Sequence, residues 1–247
     1  MLKMIESYKD KKDISCIFVM VAFNTFDWIV PCIESFRRIF PDETLLVIDN
    51  NPCQGTDRSR SFRGRTVYNR KNDWSKYCKK ETDWLHSVKK KYNFEVIQTP
   101  HFMEHGYVID LAVEKIEDYD VLVHIEPDCD INGREWFDNL MTWIVNGHWM
   151  VTGHAYSSNE FHPTPSMWRL DVFRYLELSF KPFRRTVYTG QDKLFYKLVD
   201  TKKLRRQHQK WWDTGIYASY RCARKAKACA VPVPDFKHHM MGSVKRK

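Results

Sequence analysis

An α/β fold built on a mostly parallel central sheet flanked by helices is predicted by three observations. Short apolar runs alternate with segments whose apolar residues recur at helical spacing across the first two thirds of the chain, the pattern of successive βα units. Several runs end abruptly in Asn, Asp or Glu, as strands do where an open α/β sheet collects its ligands. The 247 residues, 43% hydrophobic and 15% aromatic, supply a sizeable core and favour one large domain.

Taken in order, Ile14 to Phe23 reads as a buried strand and Phe26 to Phe40 as a helix, with Phe26, Ile29, Val30, Ile33, Phe36 and Ile39 at helical spacing. Pro31 fits that helix if it lies in the first turn, where its missing N–H costs nothing. Thr44 to Ile48 is a second strand, ending in Asp49-Asn50-Asn51-Pro52. Cys53 to Asp73 is polar, basic and poorly periodic and reads as a long loop, a feature that in a compact domain marks function or mobility. Trp74 to Tyr92 is a helix striped by Trp74, Tyr77, Trp84, Leu85 and Val88. Phe94 to Ile97 is a third strand, and Gly106 to Ile116 a helix leading into the strand Val121 to Ile125.

Arg134 to Val145 follows as an amphipathic helix carrying Trp136, Phe137, Leu140, Met141, Trp143 and Ile144. Trp149 to Thr152 reads as a strand, Ser157 to Pro165 as a polar loop, Met167 to Val172 as a strand and Asp192 to Val199 as a helix. From Lys202 the periodicity fades. No repeat, low-complexity tract or Gly/Ser linker marks a domain boundary.

No apolar run approaches the roughly 20 residues that span a bilayer, and the N-terminus has no hydrophobic signal core. A soluble, cytoplasmic protein is expected. The 7 cysteines show neither CxxC nor zinc spacing, which argues against a disulfide framework and for a reducing compartment. The net charge of +9 invites a nucleic-acid reading. Its basic stretches are dispersed, at Arg58 to Lys71, Lys202 to Arg206 with Lys210, Arg221 to Lys227 and Lys245 to Lys247. Such charge serves a nucleotide diphosphate or a peripheral contact with an anionic membrane equally well, and composition does not choose.

The chemistry concentrates at strand ends. Val121 to Ile125 runs into Glu126-Pro127-Asp128-Cys129-Asp130, and carboxylates clustered past a strand suit a hard divalent cation carrying phosphates. The same residues also suit a polar turn in which Asp128 or Asp130 caps the next helix. Asn24 after the first strand and Asp49-Asn50-Asn51 after the second suit either turns or recognition of a nucleotide base and ribose.

Three segments carry a resemblance: Ile17 to Asn24, Leu45 to Asn51, and Glu126-Pro127-Asp128. Together they resemble the nucleotide-sugar glycosyltransferases of the GT-A fold, particularly the family-2-like group that includes many rhamnosyltransferases. The resemblance runs in order over about residues 14 to 243. It implies a single GT-A domain spanning 1–247, with a donor-binding half at about 14–130 and an acceptor and catalytic half at about 131–243. Glu126 stands where the family usually has Asp or Asn, so Asp128 is the first choice for metal contact, with Glu126 a longer-armed partner and Asp130 an alternate.

Further positions follow from the same resemblance. Asp192, in Tyr188-Thr189-Gly190-Gln191-Asp192, matches the family's general base, with Gln191 replacing the usual Glu. His239, with Gly242 and Ser243, fits a late H-x-x-G-S pattern that brings a His to the metal or diphosphate. Asn24, Asp49 and Asn51 are then donor contacts. Trp168, His162 and Trp211 fall where acceptor contacts are expected, although Trp211 suits a core position equally.

The implied activity is transfer of a sugar from a nucleoside-diphosphate donor to a hydroxyl on a glycan or glycoconjugate, assisted by Mn²⁺ or Mg²⁺ and inverting if Asp192 is the base. A sugar-nucleotidyltransferase is disfavoured because Ala22-Phe23-Asn24-Thr25 lacks a glycine-rich phosphate loop. A basic nucleic-acid-binding module leaves the ordered acidic sites unexplained, and no nucleic-acid partner is expected.

Overall fold

The computed structural model describes residues 7–51, 74–99, 103, 105–157, 160–181 and 215–239. The first part runs β1 (Cys16–Ala22), α1 (Phe26–Ile39), β2 (Thr44–Asp49), α2 (Trp74–Val88), β3 (Glu95–Gln98), α3 (His105–Lys115), β4 (Val121–Ile125) and β5 (Cys129–Ile131). It continues with α4 (Glu135–Val145), β6 (Met150–Thr152), β7 (Ala155–Ser157), β8 (Glu160–Phe161), β9 (Ser166–Arg169) and α5 (Leu170–Tyr175). Further along the chain come α6 (Ile216–Ala223), β10 (Ala228–Ala230) and β11 (Phe236–His238).

Seven strands form one sheet in the order β10, β6, β9, β4, β1, β2, β3. All neighbours are parallel except β9, which runs antiparallel to both β4 and β6. The fold is thus α/β with a mostly parallel sheet, as the alternating pattern predicts.

Strand β1 explains why its sequence is apolar throughout. Phe18, Met20 and Ala22 face one core with Ile29, Ile33 and Phe36 of α1 and Trp136, Leu140 and Ile144 of α4. Ile17, Val19 and Val21 face a second core with Val108, Ile109 and Ala112 of α3, Val172 and Phe173 of α5 and Ala218 of α6. A strand buried on both faces has no polar side to show.

The register then sets the site. Ala22 pairs with Asp49, Asp49 with Gln98, and Met20 with Ile125. The residues that follow β1, β2 and β4 therefore emerge at one edge of the sheet. The chain proceeds from β1 to β2 and β3 on one side and returns to β4 on the other. The switch point, where α/β sheets open a crevice, lies between β1 and β4.

Several expectations change. Pro31 lies beyond the first turn of α1, on the exposed face of the helix. Ser157 to Pro165 takes in the end of β7 and all of β8, which pair antiparallel, and Met167 to Val172 splits into β9 and α5. The predicted loop at 53–73 and helix at 192–199 lie outside the described residues. No helix among the described residues is long and apolar enough to cross a membrane.

Candidate active site

Two polar groups sit at the C-terminal edge of the parallel strands. The first joins the ends of β1 and β2 to α2. Asn51 donates its side-chain amide to Asp49 Oδ1 at 2.7 Å and to Glu81 Oε2 at 2.8 Å, and its Oδ1 accepts the Asn24 backbone N–H at 3.0 Å. Thr25 donates its backbone N–H and its hydroxyl to Glu81 Oε1, at 2.8 and 2.6 Å. The Thr25 hydroxyl is thereby diverted from capping α1, which has no side-chain cap.

Asn24 adopts the left-handed region at φ 51°, a conformation Asn tolerates better than most residues. Glu81 is 0% exposed. Burial raises its pKa, against the lowering effect of the hydrogen bonds from Thr25 and Asn51.

Asp49 and Asn51 are also fully or almost fully buried. Their polar atoms have protein partners: Asp49 Oδ1 accepts the Asn51 amide, Gln98 Nε2 lies 3.4 Å from Asp49 Oδ2, and Asn51 also donates to Glu81. Glu81 was not singled out from the sequence. Its signal is spacing: it falls between Tyr77 and Leu85 on the apolar stripe of α2, where a carboxylate must have buried partners.

The second group follows β4. His238 donates Nε2–H to Glu126 Oε2 at 2.8 Å and Asp128 Oδ1 at 3.1 Å. The contact is built by β11, which pairs antiparallel with β5 so that His238 stands opposite Cys129. His239 alternates to the other side, where its ring lies 2.8 Å from Asp130 Oδ2 and packs on Trp28. The residue between the two carboxylates is thus His238, not the expected His239.

Asp130 belongs to this outer pair and pairs in β5 opposite Lys237. It caps no helix, since α4 begins at Glu135 with Arg134 at its N-cap. Asp128 is 4% exposed, and its backbone carbonyl accepts the His239 N–H at 3.0 Å.

Charge in this cluster is strongly coupled. Burial works to raise the Glu126 carboxyl, but the hydrogen bond from His238 and the nearby imidazoles of His105, His162 and His238 outweigh it and hold the pKa at about 2. Burial likewise disfavours a charged His238, yet the bonds to Asp128 and Glu126 lift it to about 9. The Nε2–H of His238 points between the two carboxylates, which favour the ring's charged form.

A divalent cation can take that proton's place and leave no charge unpaired, so the donor set fits one. Glu126, His162 and His238 bring a donor atom each within 4.8 Å of one another, and Asp128, Cys129 and His238 do the same. Burial drives the Cys129 thiol well above its usual pKa, which makes it a poor ligand beside the carboxylates and imidazoles.

Neither a protein-family model nor a curated protein matches the chain. Solved structures do. One is S. aureus TarS in complex with UDP-GlcNAc, with 11% identity and TM-score 0.46 over 68% of this chain and 49% of that one. Another is the mannosyltransferase PcManGT from Pyrobaculum calidifontis with GDP-Man and Mn²⁺, with 9% identity and TM-score 0.47 over 70% of this chain and 52% of that one. A third is glucosyl-3-phosphoglycerate synthase from Mycobacterium tuberculosis with Mn²⁺, UDP and glucosyl-3-phosphoglycerate, with 13% identity and TM-score 0.46 over 93% of this chain and 73% of that one. The chain spans about half the length of the TarS 1–349 chain and of the mannosyltransferase. At such identities and TM-scores the likeness assigns neither a family nor an activity to this chain.

The remaining expected residues divide three ways. Trp168 is 1% exposed, donates Nε1–H to Ser166 Oγ at 2.8 Å and packs on Phe180 at 4.9 Å. It is a core residue, not an acceptor platform. His162 is 6% exposed and its ring lies 4.9 Å from that of His238, which puts it with the carboxylates. Asp192 and Trp211 lie outside the described residues.

Thr164 and His124 complete the inner wall. Thr164 Oγ1 accepts the Glu126 N–H at 2.9 Å. His124 donates Nδ1–H to the Pro163 carbonyl at 2.7 Å, and burial lowers its pKa to about 4.

Proposed function

We propose that this chain is a metal-dependent glycosyltransferase of GT-A type, moving a sugar from a nucleoside-diphosphate donor to a hydroxyl acceptor on a glycan or glycoconjugate. One observation carries the reading. A buried network that braces the ends of β1 and β2 lies at the same sheet edge as the Glu126–Asp128–His238 cluster after β4, beside the switch point where such sheets bind nucleotides.

Each group then has a task. Glu81, through Thr25 and Asn51, fixes the backbone around Asn24, so that the wall meeting the nucleoside is preformed. Asp49 acts in the same way, from within. Glu126, Asp128 and His238 would hold Mn²⁺ or Mg²⁺, and a cation bound there would neutralise charge developing on the leaving diphosphate. Asp192 accepts the proton of the attacking hydroxyl, a contribution of about 10²–10⁴-fold in rate. Direct displacement by that hydroxyl inverts the anomeric centre.

The experiment is a donor panel. Incubating the protein with nucleoside-diphosphate sugars and Mn²⁺ should consume at least one donor. Asp192→Asn should bind that donor and fail to transfer from it. A protein that neither binds nor consumes any nucleotide sugar would contradict the proposal.

A further inference from the structure

We infer that His162 is a second imidazole ligand of the cation held by Glu126 and His238, and that this set selects a transition ion such as Mn²⁺, Co²⁺ or Zn²⁺ over Mg²⁺ or Ca²⁺. The inference rests on the cation reading of that cluster and assigns His162 a role different from the acceptor contact its loop position implies.

Geometry comes first. His162 sits in the segment joining β8 to β9, a different part of the chain from either neighbour, yet a donor atom of its ring lies within 4.8 Å of those of Glu126 and His238. The two rings are 4.9 Å apart and inclined at 53°. At 6% exposure, His162 presents little surface to an acceptor sugar. It can still turn a ring nitrogen toward a cation already held by the carboxylates.

The second observation is how the ring is held. His162 Nδ1 accepts the Thr164 backbone N–H at 3.1 Å and lies 3.0 Å from the Thr164 carbonyl, and Thr164 Oγ1 accepts the Glu126 backbone N–H at 2.9 Å. Ligation through Nε2 would use the other tautomer, in which Nδ1 turns from acceptor of the Thr164 N–H to donor toward the Thr164 carbonyl. This is how proteins orient ligating histidines, through a hydrogen bond from the other ring nitrogen to a carbonyl or carboxylate. Thr164 thus positions His162 and Glu126 together.

Ligand chemistry supplies the selectivity. Mg²⁺ and Ca²⁺ favour oxygen donors and gain little from imidazole. Mn²⁺ and the later divalent ions accept mixed nitrogen and oxygen sets, with affinity rising toward the right of the series. Two imidazoles beside Glu126 therefore weight the site toward the transition ions.

Nitrogen hyperfine coupling to bound Mn²⁺, measured by pulsed electron paramagnetic resonance on the full chain, tests this directly. The wild-type protein should show two coupled imidazole nitrogens. His162→Asn keeps a donor and an acceptor for Thr164, and should show one. Its Mn²⁺ affinity should fall by about tenfold or more with Mg²⁺ affinity little changed. A single nitrogen in the wild type, or an unchanged spectrum in the variant, overturns the inference while donor turnover can stand. Absence of Mn²⁺ binding together with absence of donor turnover removes both. Should the variant fail to fold, the wild-type count decides.

Discussion

His238 reaches Glu126 across 2.8 Å from a strand near the far end of the described chain, while the adjacent His239 turns to Asp130 at the same distance. One residue of register separates the proposed ligand from its neighbour. His238→Ala should lower Mn²⁺ affinity by at least about tenfold, whereas His239→Ala should change it little. Isothermal titration with Mn²⁺ checks both. Equal losses would show that the outer pair also serves the cation.

The same cluster sets a pH dependence. In the metal-free protein His238 titrates near 9 rather than 6.5 and Glu126 near 2 rather than 4.5. The stabilisation from His238 is complete below pH 6.5 and is lost as pH rises toward 9. That from Glu126 is complete above 4.5 and is lost as pH falls toward 2. On the acid side His124, lowered to about 4, adds a loss of its own as pH falls below 6.5.

The alkaline limb therefore belongs to His238. Thermal melts of the chelator-treated protein should show stability falling between pH 6.5 and 9, by at most about 3 kcal/mol for a shift of this size. Mn²⁺ should flatten that limb, since the cation replaces the proton between the carboxylates. A limb unaltered by His238→Gln would assign the loss elsewhere.

Glu81 is the keystone of the donor-side network. Glu81→Ala strips an acceptor from Thr25 N–H, the Thr25 hydroxyl and the Asn51 amide, all buried. Leaving such groups unsatisfied costs about 1–3 kcal/mol. Glu81→Gln keeps one acceptor and removes a charge whose burial is unfavourable, so it should cost less. Urea denaturation ranks the two, and equal stability of both variants with wild type would refute the role.

Gly106, at the start of α3, admits no side chain. A Cβ there would lie 2.1 Å from the Phe180 carbonyl oxygen and 2.6 Å from its carbon, backbone atoms that cannot turn aside. Asp110 anchors the same segment by accepting the Phe180 N–H at 2.8 Å. Gly106→Ala should therefore destabilise by about 1–3 kcal/mol, read as a lowered melting temperature.

Local sequence made the sheet readable because β1, β2 and β4 are buried runs ending in polar residues, and both ends of that pattern are visible in the chain. It made Glu126 and Asp128 readable for the same reason. The partner histidine was not, because the choice of His238 over His239 depends on how β11 registers against β5, a pairing of short strands distant in sequence. Trp168 was misplaced because an aromatic residue beside a polar loop has the same local sequence whether it faces solvent or Phe180. Glu81 was legible in principle, as a lone carboxylate on an apolar helical stripe.

The most direct test of the cation-assisted donor site is calorimetric titration of a nucleoside diphosphate into wild type and Asp128→Asn, with and without Mn²⁺. Binding that requires Mn²⁺ in the wild type and is lost in Asp128→Asn is the predicted result. Binding that ignores the metal, or persists unchanged in Asp128→Asn, would contradict the account.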